Sequence, residues 1–259
     1  MHKKQVRKNA VSDQDFPGEM SPKDNSPYVF QRDKITYALK IRELPWTEKQ
    51  KAIIELIMDK NTKMVFLSGP AGSSKSILAT YCGLKLLDMH RMSEIIYVRS
   101  IIESAAKSLG SLPGEMESKF LPFSQILLDK MEELIKMTDI TKLLEDHRVK
   151  PIPINYLRGA SFNAKYIIAD EFQNFQFSEA TTLVSRIGQF SKFICCGDMM
   201  QSDLQHKNQS GFRPMFDIFN NAESREKGIF CIELGKEDIM RSEILKFIVQ
   251  KIEDYNAIK

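Results

Sequence analysis

The stretch VFLSGPAGSSKSILAT, residues 65–80, decides the fold class, because an apolar run, a glycine-bearing turn, a lysine and a helix-like continuation follow one another without a break. Gly69-Pro70-Ala71-Gly72-Ser73-Ser74-Lys75-Ser76 keeps the phosphate-loop pattern G-x-x-x-x-G-K-[ST] at every place but the sixth, where Ser74 stands for glycine. In such a loop the residues from Gly69 through Ser76 enclose the nucleotide, with backbone N–H groups surrounding the phosphates, Pro70 having none to give, and the helix N-terminus adding a favourable dipole. Lys75 would then reach the β- and γ-phosphates, and the Ser76 hydroxyl would ligate Mg²⁺. Serine fits position 74 if its φ is negative, since the penalty for a Cβ arises chiefly at positive φ. Gly69 and Gly72 remain for the bends that most need to lack a side chain.

Outward from this stretch, short apolar runs alternate with helix-like segments: MVFLSG at 64–69, EIIYVRS at 94–100, YIIADE at 166–171, KFICCGD at 192–198 and IFCIEL at 229–234. Runs this short, apolar on both faces, suit a mainly parallel sheet covered by helices on both sides, an α/β architecture. Thr47-Glu48-Lys49-Gln50 has the form of a capping box opening a helix, and a second helix should run from Ser76 to about Met89. Further helices are expected over 123–137, over 178–188 with Gly188 in a C′ position, and from Asp238 to about Tyr255.

Composition narrows the class. The chain has 259 residues and a net charge of +3, with cations and anions mixed throughout, so nucleic acid is permitted but not demanded. Four cysteines occur without a CxxC pair or a nearby histidine cluster, which argues against zinc and for small buried hydrophobes in a reducing compartment. The charged N-terminus lacks the apolar region of a signal peptide, and no apolar run approaches the ~20 residues that span a bilayer. The expectation is a cytoplasmic protein without a membrane partner. Residues 1–26 read as a disordered tail, and 27–259 as one domain.

A second part of the site is expected roughly a hundred residues beyond the phosphate loop. Tyr166-Ile167-Ile168-Ala169-Asp170-Glu171 is an apolar strand ending in two acids: Asp170 to hold Mg²⁺ through water, Glu171 to act as base on the attacking water. Another strand ends at Gly197-Asp198-Met199-Met200-Gln201, where the Gln201 amide can bond both a phosphate oxygen and that water. ATP and Mg²⁺ are the implied cofactors.

DEFQ at 170–173 followed by GDMMQ at 197–201 resembles motifs II and III of superfamily 1 helicases. LRGASFNAKYIIADEFQN and SRIGQFSKFICCGDMMQSDL, with RSIIESAAKSLGSLPGE upstream and EDIMRSEI near the end, are similar to the PhoH-like (phosphate-starvation-inducible) ATPase family, from about Leu44 to about Ile252. The departures are Ser74 for glycine, Phe172 for alanine, Ser100 for proline and Ser242 for histidine; the serine before the lysine resembles phage-encoded members. The resemblance implies a single RecA-like core, assembly into homo-oligomeric rings such as hexamers, and a role in RNA metabolism; some relatives carry an N-terminal PIN nuclease domain, for which the expectation is that this chain has no room.

Only about sixty residues follow Gln201, too few for the second core domain that a monomeric helicase of this type uses, so an arginine from elsewhere in the chain or from a neighbouring copy is needed at the transition state. Arg241 is the first candidate, with Arg158 and Arg186 behind it; a surface place on an amphipathic helix is the alternative for Arg241. Gln50 fits either an adenine contact, on the resemblance, or the N3 place of the capping box. The segment from Arg99 to Glu115 follows a parallel strand and is either the contact for single-stranded RNA or DNA or a plain connector. The leading reading is a Mg²⁺-dependent ATPase coupled to single-stranded nucleic acid. The alternative is a nucleotide-dependent assembly switch with little turnover. A GTPase lacks an N-K-x-D motif, and a small-molecule kinase leaves DEFQ and GDMMQ without a role.

Overall fold

The computed structural model describes residues 35–100, 116–154, 162–199 and 210–239, with positions 244, 247, 248 and 251 beyond them. Six strands alternate with helices: β1 (Met64–Ser68), β2 (Glu94–Arg99), β3 (Val149–Pro153), β4 (Lys165–Asp170), β5 (Lys192–Gly197) and β6 (Ile229–Glu233). They form one sheet in the order β3-β2-β4-β5-β1-β6, and every adjacent pair is parallel.

Side chains alternate across each strand and build two cores. Val65 and Leu67, Ile95 and Tyr97, Tyr166 and Ile168, and Ile194 and Cys196 face α1 (Glu48–Met58), α2 (Lys75–Asp88), α3 (Met116–Glu132) and α4 (Met137–Glu145). Met64 and Phe66, Ile96 and Val98, Ile167 and Ala169, and Phe193 and Cys195 face the other way, toward α5 (Phe177–Val184) and α6 (Phe212–Phe219). This is the α/β core with helices on both faces that the apolar runs predict. A short helix α7 (Ala222–Glu226) leads into β6.

Helix α2 is apolar nearly all round and lies under α1 and α3, with its ten residues from Ile77 to Leu84 and at Leu86 and Leu87 buried. Gly83 lets the Tyr166 ring pass close beneath it, since a Cβ there would meet that ring at 2.8 Å; the Tyr166 hydroxyl donates to the Ala79 carbonyl at 2.9 Å. On the other face, Phe172 stacks on Phe175 with ring centroids 4.9 Å apart and meets Phe66 and Phe212 edge-on. Phe172 is thus a core residue, fully buried below the turn that follows β4.

The sequence expectations miss β3, whose VKPIP run carries Pro151 and Pro153; prolines are tolerated because β3 is an edge strand paired only with β2. Helices α4, α6 and α7 likewise lie outside the segments expected from sequence. The helix expected to end at Gly188 stops at Val184 with Ser185 as its C-cap. Gly188 serves close approach instead: a Cβ there would lie 2.0 Å from the Phe162 carbonyl oxygen. The expected C-terminal helix falls mostly outside the described residues. Cys82, Cys195 and Cys196 are buried thiols and Cys231 is half-buried; burial pushes the Cys231 thiol up to about 12. Among the described residues no helix is long and apolar enough to cross a membrane.

Candidate active site

The carboxyl ends of β1, β4 and β5 open onto a cavity of ≈ 470 Å³, a size that suits a small ligand. The loop from β1 to α2 forms one wall. Gly69 N donates to the Gly197 carbonyl at 3.2 Å, tying the loop to the end of β5, and a Cβ on Gly69 would press on Leu234 at 2.9 Å. Gly72 sits at φ 83°, where glycine is free of strain. Ser73 is buried and its Oγ donates to the Pro70 carbonyl at 2.7 Å, closing the turn.

Ser74 does not meet the condition set by the sequence analysis. It is the N-cap of α2 in the left-handed region, φ 66° and ψ 18°, and its side chain makes no capping bond. The loop's curvature sets this backbone whichever residue occupies it, so serine carries a left-handed penalty of about 1–2 kcal/mol. Ser74→Gly removes that penalty but adds about 0.4–1 kcal/mol of unfolded-chain entropy. Both terms belong to folding and are common to the free and the ATP-bound protein, so ATP affinity in the glycine variant should shift by less than tenfold, below the ~1.4 kcal/mol that a tenfold change requires. Titration calorimetry on the two proteins checks this; a gain of tenfold or more would show that serine disables the loop.

Lys75 Nζ donates to the carbonyls of Gly69 at 2.7 Å and Pro70 at 2.9 Å, so its ammonium lies over the loop. Burial lowers its pKa, and Cys196, Asp198, Glu171 and Asp170 act against that shift. Opposite it, Ser76 Oγ donates to Asp170 Oδ1 at 2.6 Å. Asp170 closes β4 on the face turned toward α2, the face shared by Ile168 and Tyr166. Its neighbour strand β2 pairs Arg99 with Asp170 and Tyr97 with Ile168, so Tyr97 stands on that same face one step back. The Tyr97 hydroxyl donates to Asp170 Oδ2 at 2.6 Å. Burial first, then Asp170, pushes the phenol far up, so it remains a donor at neutral pH.

Both oxygens of the buried Asp170 are therefore oriented, one by Ser76 and one by Tyr97. Tyr97 escaped the sequence reading because its link to Asp170 depends on strand order, and its only signal is a lone hydroxyl in an apolar run. If Asp170 holds Mg²⁺, Tyr97→Phe should raise the Mg²⁺ concentration for half-maximal turnover by about 10–100-fold, the usual cost of losing an outer-shell partner. A magnesium titration of phosphate release measures it, and an unchanged midpoint would remove Tyr97 from that role.

Glu171 is itself left-handed, φ 51°, which turns the chain sharply out of β4. Gln173, buried in the turn, donates from Nε2 to Glu171 Oε2 at 2.5 Å and accepts from Asp198 N at 3.0 Å through Oε1. The last residue of DEFQ thus connects the proposed base to the segment after β5. The sequence alone gives Gln173 no role of its own, because its two partners are brought together only by the fold.

Gln50 is fully buried and both ends of its amide are engaged. Its Oε1 accepts from Thr47 N at 3.0 Å while Thr47 Oγ1 accepts from Gln50 N at 3.2 Å, completing the capping box. Its Nε2 faces the carbonyls of Ser73 at 3.4 Å and Asp238 at 3.1 Å. An adenine contact by Gln50 requires exchange of one of these bonds. Asp238, also buried, accepts from Thr47 Oγ1 at 2.9 Å and from Gly235 N at 2.9 Å. Gln201, Arg241, Arg158 and the segment 101–115 lie outside the described residues. Arg186 is level with the start of β4, its carbonyl accepting from Phe162 N, at the end of the sheet away from the cavity.

The donor set fits Mg²⁺, a hard cation bound through one or two carboxylates plus phosphates and waters. Ser76 and Asp170 offer adjacent oxygens, and among the described residues no cluster of three His, Cys, Asp or Glu side chains forms an all-protein cage. The charges agree: the lining holds Glu133, Asp170, Glu171 and Asp198 against Lys75 and Lys130, so a polyphosphate without a cation would meet net repulsion.

The family model described as PhoH-like protein matches residues 43–253. A PhoH-like protein of Mycobacterium tuberculosis is 32% identical over 211 residues, 82% of this chain and 58% of its own length. A PhoH-like protein of Synechocystis is 30% identical over 207 residues, 80% of this chain and 61% of its own length. The chain spans about three fifths of the length of the curated relatives it matches. Among solved structures, Bacteroides Pif1 in complex with ADP-AlF4 is similar over 80% of this chain and 45% of that chain, with 16% identity and a TM-score of 0.37.

Proposed function

The chain belongs to the PhoH-like protein family, and from that premise we propose that it is a Mg²⁺-dependent ATPase, homo-oligomeric and coupled to single-stranded RNA or DNA. The observation that carries the reading is the convergence of Lys75, Ser76, Asp170 and Glu171, from two elements far apart in sequence, on one cavity. Gly69 to Ser74 wrap the phosphates. Lys75 leaves its carbonyl partners to meet the β- and γ-oxygens, where charge grows as the terminal phosphoryl departs. Ser76 and Asp170 hold Mg²⁺, which neutralises phosphate charge when bound. Glu171, oriented by Gln173, takes a proton from the attacking water. Arg241, in this chain or a neighbour, and Gln201 complete the proposal.

Coupling is tested by phosphate release from ATP with and without single-stranded RNA, comparing wild type with Glu171→Gln. RNA stimulation that vanishes in the variant is the expected result. Slow turnover indifferent to RNA would favour the second reading, a nucleotide-dependent assembly switch. The Gln50 junction favours that reading, since it joins the phosphate loop at Ser73 to Asp238 and hence to the chain leading toward Arg241. The switch predicts ATP-dependent oligomers that survive Glu171→Gln.

A further inference from the structure

A second cavity, ≈ 950 Å³, opens at the opposite end of the sheet, at the amino ends of β1, β5 and β6. It shares no residue with the phosphate-loop cavity. Its walls are the turns entering β1, β2 and β6 and the loop entering β5, and they bring together Lys60, Lys63, Arg91, Lys192, Arg225 and Lys227. Only Asp59 and Glu226 oppose them. The lining thus carries an excess of four positive charges, a strongly positive patch among the described residues.

Two of these cations are fixed in the wall. Lys192 is buried and donates to the carbonyls of Asp59 and Thr62, while Arg91 Nη1 donates to the Met58 carbonyl at 2.6 Å. Together they bind carbonyls at the end of α1 and in the turn that follows it. Burial pushes the Lys192 ammonium down to about 8, aided by Arg91, which leaves it mainly charged at neutral pH. The other four are exposed, and none of them forms an ion pair with the described residues. Beside them, Phe190 and Ile187 are 48% and 37% exposed.

The exposed cations lie on two separate connections, Lys60 and Lys63 before β1 and Arg225 and Lys227 before β6, an arrangement that suits several spaced phosphates better than one small anion, and the exposed part of the Phe190 ring adds apolar surface for a base. We infer that this cavity binds a short stretch of single-stranded nucleic acid, with phosphates against the lysines and arginines and a base against Phe190. The inference rests on the nucleic-acid coupling proposed above and locates the strand at the far end of the sheet from ATP.

The test is fluorescence anisotropy of a labelled oligouridylate over a salt series. It compares wild type, the double variant Lys60→Glu/Lys227→Glu, and Phe190→Ala, with basal ATP turnover as the check on folding. The double variant should bind at least tenfold more weakly, with the slope of log affinity against log salt reduced by about 1.4, two phosphate contacts at ~0.7 each. Phe190→Ala should weaken binding by about fivefold or more. Basal turnover should be unchanged in both. Undiminished oligonucleotide binding by both variants would overturn the location while leaving nucleic-acid coupling intact. A wild type that turns over ATP yet binds no oligonucleotide would overturn both the location and the coupling. Polyglutamate binding as tightly as the oligonucleotide would identify an acidic-peptide site instead, and full displacement by submillimolar inorganic phosphate a small-anion site; either result overturns the inference.

Discussion

Lys75→Ala is expected to lower ATP turnover by at least about 10²–10³-fold, the scale of losing one pre-positioned donor to developing charge, and to weaken ATP binding as well. The reason lies in the cavity's charge balance. Four carboxylates face only Lys75 and Lys130 among the described lining residues, and Lys75 opens the helix that receives the phosphates. Its loss leaves an acidic site in which Mg²⁺ is the chief remaining counter-charge. Folding should survive, because the Nζ bonds of Lys75 end on loop carbonyls beside a polar cavity. Equilibrium binding and phosphate release together measure the effect. Normal turnover in the variant would move the phosphate site elsewhere.

Glu171→Gln should have the opposite profile on binding. Turnover should fall by about 10²–10⁴-fold, the range for a lost general base, while ATP affinity stays within a few-fold of wild type. Glu171 makes no bond to the phosphate loop; its one described side-chain partner is Gln173. The variant amide can still bond Gln173 by presenting its oxygen, so the turn after β4 is preserved. Removing a negative charge from the acidic wall also relieves repulsion of the phosphates, which opposes any loss of affinity. A variant that both binds and hydrolyses ATP normally would show that the base is another group, with Asp198 on the same cavity wall as an alternative.

The phosphate loop, the five apolar strands and the Asp170-Glu171 terminus are legible in the chain for one physical reason. A parallel sheet buried on both faces needs unbroken apolar runs, and their carboxyl ends are where loops can carry polar chemistry. What is not legible depends on which strands become neighbours. Tyr97 orients Asp170 only because β2 lies beside β4 in a register that sets both on the α2 face. The basic cavity gathers four connections distant in sequence, none of which has a dense basic run of its own. β3 is hidden by its prolines, which a central strand would exclude and an edge strand accepts. Ser74 is the instructive case: its identity suggests negative φ, yet the loop holds it at φ 66°. The same strained geometry recurs at Glu171, so two residues assigned to nucleotide chemistry share the left-handed region.

The central claim is that this cavity binds and hydrolyses Mg²⁺-bound ATP, and the most direct test is steady-state phosphate release by the purified wild type with ATP, in Mg²⁺ and again with the metal chelated. The predicted result is turnover that requires Mg²⁺ and saturates with ATP. A folded protein that releases no phosphate with Mg²⁺ present, or one that releases it equally well without the metal, would contradict the account.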